Sequence, residues 1–186
     1  MLKGKIIFEK LVRDRVFQKL ENDGFTVHYK VLSHDQKKNA LQMKLIEEID
    51  ELLKAQSKGE VLEELCDLYD VLEAIFDQYD LQNLLYIQEN FSIGTIQELH
   101  LNLLEVAKIV QSTGEIPQNI FGILPVISQI FNISNQELHE ARRHKHEKVG
   151  EFKNGIFIKY IEFDKNSNYD SIMYFKNQPE KYQLIQ

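Results

Sequence analysis

Glu48 and Glu51 stand three residues apart in "LIEEIDELLKAQSKGEVLEELCDLYD" (residues 45–70), and Glu64 and Asp67 repeat that spacing sixteen residues later. On a helix, residues three apart project from adjacent turns of one face. Two such helices folded back through a tight loop would bring both acidic pairs to one level. Four carboxylates facing one another in a partly buried groove cannot all stay ionised without a cation. Oxygen ligands with no His or Cys suit Mg2+ or Mn2+ rather than zinc or copper. A lone E-x-x-E pair on an amphipathic helix most often faces water. Two pairs on consecutive helices are a more specific signal.

The elements that must position these acids are readable from periodicity. Leu41, Leu45, Ile49, Leu52 and Leu53 recur at three- and four-residue steps from Asp35 onward, and "QSKGE" breaks the pattern with Gly59 near a C-cap. A second helix is expected from about Val61 to Tyr79, with Leu65, Leu68, Leu72, Ile75 and Phe76 on one side. The short link predicts an antiparallel helical hairpin. Upstream, "KIIFEKLVRDRVFQKLENDG" reads as an extended segment turning into a short helix that ends at Gly24, and "FTVHYKVLS" alternates like a strand. Downstream, residues 92–134 read as a further helical pair broken at "STGEIP", with Pro125 as a kink in its second member. Ser134 is the expected N-cap of "SNQELHEARRHKHEKVG", a helix with a cationic second half. "FKNGIFIKYIEF" predicts a β-hairpin turning at Asn154-Gly155. Residues 161–186 are an extension without an assigned role, with Tyr169, Tyr174, Phe175 and Tyr182 as candidate packing anchors.

Residues 99–134 echo the acidic hairpin without its acids, retaining only Glu105 and Glu115. The pair is a degenerate repeat or a chance likeness between two apolar helix pairs.

Composition narrows the function. A chain of 186 residues with 43% hydrophobic content, 11 Phe and 8 Tyr can bury a core, and 3 Pro with 8 Gly argue against a loop-rich chain. The net charge of -7 disfavours nucleic acid and anionic membranes as partners, though not a nucleotide held through a metal and a few local cations. The single Cys66 excludes an intrachain disulfide. No apolar run reaches the about 18–20 residues of a membrane span, and "MLKGKIIFEKLVRDR" lacks a secretory h-region, so a cytoplasmic protein is expected.

The pattern Glu47-Glu48-x-x-Glu51 followed by Glu64-x-x-Asp67 resembles the metal-binding signature of the MazG-like all-α nucleoside triphosphate pyrophosphohydrolases. "KLVRDR" at Lys10–Arg15 and "ARRHKHEKVGEFKNGIFI" at Ala141–Ile158 are similar to motifs of one branch, the house-cleaning pyrophosphatases related to phosphoribosyl-ATP pyrophosphohydrolase. The resemblance covers roughly residues 5–80 and 135–160, in the same order. That branch's Gly-Gly-Phe reads Gly150-Glu151-Phe152 here, which puts an acid near a presumed phosphate region. The resemblance implies a mainly all-α bundle over residues 1–160, with a helix pair inserted at about 81–134. That insert could supply in cis what a partner chain supplies elsewhere, so a homo-oligomer and a monomer with an internal pseudo-repeat both stay open.

The implied reaction is Mg2+-dependent hydrolysis of a nucleoside triphosphate between its α and β phosphates. Glu48, Glu51, Glu64 and Asp67 would hold the metal, with Glu47 and Glu48 as the catalytic acids and Glu47 orienting water. Asp70 would extend the acidic ladder toward a second metal or the sugar. Lys10 and Arg13 are the phosphate-binding cations picked out by the motif, with Asp14 bracing Arg13; Arg142, Arg143, Lys145 and Lys148 form a second cationic set, of which Arg142 and Lys145, one turn apart, are the expected ligands. Phe17, Tyr69 and Phe152 are candidates to stack on a base, or core. His144 and His146 read as surface residues, and Cys66 as a small core residue facing away from the groove. A non-catalytic nucleotide-binding protein on the same fold and a structural helical interaction module are the rival readings. A di-iron bundle would need Glu-x-x-His motifs, which the chain lacks.

Overall fold

The computed structural model describes residues 3–79 and 95–185, so the first part of the expected insert lies outside the described residues. Among them are seven helices and one four-stranded antiparallel sheet, a mainly helical protein. The chain divides into two units: Met1–Lys37 with His146–Gln186, and Lys38–Lys145.

The first unit is built from both ends of the sequence. β1 (Gly4–Leu11), β2 (Thr26–Val31), β3 (Ile156–Phe163) and β4 (Gln183–Ile185) lie in the order β2-β3-β1-β4. Ile161 is in register with Ile6 on one side and Val27 on the other. Glu9, at a left-handed φ of 48°, marks the bulge where β1 shifts register against β3 between Ile7 and Lys10. One set of alternating residues, including Ile6, Phe8, Ile158, Ile161 and Phe163, is buried with Leu20 of α1 (Val16–Asn22) and with Ile172 and Phe175 of α7 (Tyr169–Lys176).

Two expectations are corrected here. "FKNGIFIKYIEF" is not a hairpin: β3 is a single strand whose partners are β1 and β2. Asn154 and Gly155 form no two-residue turn; the Asn154 N–H donates to Asp14 Oδ1 at 2.9 Å, ahead of the strand. The C-terminal stretch has a structural role, because α7 and β4 complete the sheet's core and edge. Phe175 and Tyr182 pack ring against ring with centroids 4.9 Å apart, whereas Tyr169 and Tyr174 are exposed.

The second unit is helical. α2 (His34–Lys54) and α3 (Lys58–Tyr79) form the expected hairpin, burying Leu41, Leu45, Ile49 and Leu52 on one helix and Val61, Leu65, Leu68, Leu72 and Ile75 on the other. α4 (Ile96–Thr113) and α5 (Ile120–Ile130) form a second pair, and α5 is one helix with Pro125 inside it. Phe121 of α5 meets Phe76 of α3 at 5.0 Å. α6 (Asn135–Val149) closes the set.

Among the described residues, four helices start with a Ser/Thr whose oxygen takes the N–H three residues on, while that residue's carboxylate or amide takes the cap's own N–H. These pairs are Ser33 with Gln36, Ser57 with Glu60, Thr95 with Glu98, and Ser134 with Glu137. The Ser57 box starts α3 at Lys58, so Gly59 lies in its first turn and not at a C-cap. No described helix is long and apolar enough to cross a membrane.

Candidate metal centre

The α2–α3 hairpin brings three acids together. Glu48 and Glu51 project from successive turns of α2, Glu64 comes from the returning helix, and one carboxylate oxygen of each lies within 4.8 Å of the others. Apolar neighbours on both helices force this arrangement. Leu45, Ile49 and Leu52 on α2 and Leu65 and Leu68 on α3 are buried, so the acids between them are carried toward the interior.

Burial differs between the three. The Glu48 side chain is only 2% exposed, and its Oε1 lies 2.5 Å from Lys44 Nζ, one turn earlier on α2. Lys44 also lies 3.1 Å from Glu47 Oε2, so one ammonium braces both adjoining acids. Burial pulls the Lys44 ammonium down, yet Glu48 and Glu47 more than offset this and its pKa is raised. Glu48 is raised in turn, by burial first, against the opposing pull of Lys44.

Glu64 is the least satisfied. Its Oε2 is buried without a hydrogen-bond partner among the described residues. Its carboxyl group is pushed up to about 8, by burial first and then by the charges of Glu48, Glu51 and Asp67. A divalent cation answers all three conditions at once: an orphaned buried oxygen, oxygen-only donors, and carboxyl groups whose charges repel. The three residues could hold a metal ion.

Glu63, Asp67, Asp70 and Glu73 of α3 are met by α6. Asp67, expected as a fourth ligand, is bonded by Lys145 Nζ, so three carboxylates converge and the fourth is neutralised by a lysine. Asp70 Oδ1 accepts from Arg142 Nε at 2.8 Å and from Nη2 at 2.6 Å, and Glu73 also takes Nη2 at 2.6 Å. Asp70, Arg142 and Lys145, read as substrate ligands, are thus partners of one another or of Asp67 across the α3–α6 face. Tyr69 lies with its ring 5.5 Å from the Arg142 guanidinium carbon. Cys66 is buried as expected, and burial pushes its thiol up to about 11.

The other motif residues belong to the sheet-containing unit, where the two similar segments meet. Arg13 is 5% exposed; its Nη1 donates to the Gly150 carbonyl at 3.1 Å, and its guanidinium lies 4.8 Å from the Phe152 ring centre. Arg15 donates to the Glu147 carbonyl at 2.9 Å. Asp14, expected to brace Arg13, accepts the N–H groups of Lys153 and Asn154 at 3.1 and 2.9 Å. "RDR" therefore clamps the C-terminal end of α6 and the loop after it, where cations suit the exposed carbonyls. Lys10 Nζ lies 4.8 Å from the Tyr182 ring centre. Phe152 is buried, and Phe17 pairs with Tyr29 at 4.9 Å. Glu151, the acid in place of a glycine, pairs with Lys153 at 3.0 Å. His144 is exposed and His146 half-buried.

Sequence reasoning missed Lys44, although its spacing of three and four residues ahead of Glu47 and Glu48 was a readable signal. It also missed that the acids of α3 and the cations of α6 recur at matching three-residue steps.

Comparison with protein-family models, with curated proteins and with solved structures finds no match to this chain.

Proposed function

We propose that the chain is a Mg2+- or Mn2+-dependent pyrophosphohydrolase of nucleoside triphosphates, of the MazG-like helical kind, acting on nucleotides rather than nucleic acid. The observation that carries this reading is the convergence of Glu48, Glu51 and Glu64, with Glu64 Oε2 buried and unpartnered. Supporting it are the order of the three motif segments and the mutual clamp between "RDR" and the loop after α6. Water adds to the α phosphorus, the α–β anhydride bond breaks, and a monophosphate and pyrophosphate leave.

Held by Glu48, Glu51 and Glu64, a divalent ion would neutralise phosphate charge and lower the pKa of water. Glu48 is locked in place for that duty by Lys44. Glu47, on the same ammonium, stands beside the cluster and orients water by accepting its proton. Arg142 and Lys145 supply positive charge on α6 for the phosphate chain. Arg13 acts as a positioning residue for the end of α6.

A screen of standard and damaged nucleoside triphosphates and phosphoribosyl-ATP, with Mg2+ and pyrophosphate detection, tests the reaction. Glu48→Gln should cut Mg2+-dependent turnover by at least about 100-fold with the helical circular dichroism unchanged. Wild-type-like turnover in that variant would remove Glu48 from the mechanism.

A structural helical module is the second reading, favoured by the pairing of Asp67 and Asp70 with Lys145 and Arg142. Such a module gains no thermal stability from Mg2+ or Mn2+.

A further inference from the structure

The candidate site carries its own counter-ions, and one of them sits on a residue of the metal-binding pattern. Lys145 reaches from α6 to α3, where its ammonium is bonded to Asp67 Oδ2, 3.7 Å from Glu63 Oε1 and 3.4 Å from the Glu63 carbonyl oxygen. The two side chains are 20% and 16% exposed, so the pair is sheltered from much of the water that weakens surface bridges. One turn earlier on α6, Arg142 is fixed to Asp70 and Glu73, which anchors the helix independently of Lys145. Asp67 stands three residues after Glu64 in α3, one turn on and on the same helix face as that member of the cluster.

We propose that Lys145 is an exchangeable cation that occupies Asp67 in place of a divalent ion and thereby sets the metal affinity of the site. The proposal rests on the reading of Glu48, Glu51 and Glu64 as metal ligands. An ammonium and a divalent ion drawn to one carboxylate group repel each other, and the repulsion is strong where water is scarce. Metal binding therefore competes with the Lys145–Asp67 bond. The ammonium released by that exchange stays tethered to α6 beside the ion, where an anionic phosphate chain would take it up. Metal and phosphate then favour each other's binding, because each stabilises the exchanged arrangement.

Mn2+ alone, titrated by calorimetry and followed by thermal shift, tests this in the full chain as wild type, Lys145→Met, Asp67→Asn and the double variant. Lys145→Gln serves as a second removal of the charge, and circular dichroism checks the helices. The expected result is Mn2+ binding about three- to tenfold tighter on loss of the Lys145 charge, the scale of one partly sheltered ion pair. Asp67→Asn should weaken binding, and in its background loss of the Lys145 charge should change nothing. Equal or weaker binding without the charge, or the same gain with and without Asp67, overturns the exchange and leaves the metal site standing. Absence of Mn2+ binding in every protein overturns the metal site, and the exchange with it.

Discussion

Glu64 holds a carboxyl group pushed up to about 8, by burial first and then by its acidic neighbours. Between the ordinary carboxyl range and that value, the folded chain keeps a proton that the unfolded chain has released. The stabilisation is complete at low pH and is lost as pH rises through about 8. In a metal chelator the melting temperature should therefore fall between pH 6 and pH 9, and Glu64→Gln should remove most of the fall. After screening of a partly exposed group, roughly 2 kcal/mol or about 4–8 °C is at stake. Scanning calorimetry at several pH values measures it, and parallel slopes for the two proteins would count against a protonated Glu64. The acids of this site were legible in the sequence because helical spacing alone puts Glu48, Glu51 and Glu64 on facing turns. Their inequality was not, since it depends on which oxygen is reached by Lys44 or Lys145, and one of those lysines sits 78 residues from its partner.

At the scale of elements, the hairpin of α2 and α3 follows from apolar residues at three- and four-residue steps, and its ends follow from local capping chemistry. The α6 box shows how the two levels join. Glu137 takes the Ser134 N–H at 2.7 Å and also bonds Lys58 of α3 at 2.7 Å. Lys58 first, then the Ser134 N–H and hydroxyl, hold its carboxyl down at about 2. Because the folded value is depressed, this contribution is present above the ordinary carboxyl range and disappears as pH falls toward 2. Ser134→Ala should cost about 1 kcal/mol, or about 2–4 °C in melting temperature at neutral pH. Glu137→Gln should flatten the acid limb of the stability curve between pH 5 and pH 2. An unchanged acid limb, measured by urea unfolding, would show that the Glu137 charge adds nothing to the fold. Ser134 was legible as a cap because it precedes an abrupt change to helical pattern. Ser57 carries the same signal, but the glycine two residues later draws attention to a helix end where a helix begins. The strand at Ile156–Phe163 was legible and its partners were not, because Asn154-Gly155 is a local turn signal whereas β1 and β2 lie more than a hundred residues upstream.

At the scale of the molecule, the chain's two units differ in how their contacts are spread along the sequence. The helical unit is one continuous stretch, and its buried residues, from Leu41 through Leu65 and Leu103 to Ile127, all lie inside it. The sheet unit is assembled from residues near both termini, and β3 is the strand that both β1 and β2 need. Its pairings close long loops, which delays them relative to helical contacts. A fragment of residues 33–149 keeps α2 and α6 whole, together with the Ser33 cap, the three converging carboxylates and Lys145. It should melt cooperatively as a helical protein and bind Mn2+ within about threefold of the full chain's affinity, a difference below about 1 kcal/mol. Residues 1–37 alone hold β1 and β2 without the strand between them, and should give the far-ultraviolet spectrum of an unfolded chain. Circular dichroism and Mn2+ calorimetry on the two fragments decide the matter. A helical fragment that melts cooperatively but no longer binds Mn2+ would mean that the ion needs groups beyond Glu48, Glu51, Glu64 and Asp67. A fragment that does not fold would show that the helical unit needs residues outside 33–149 for its stability.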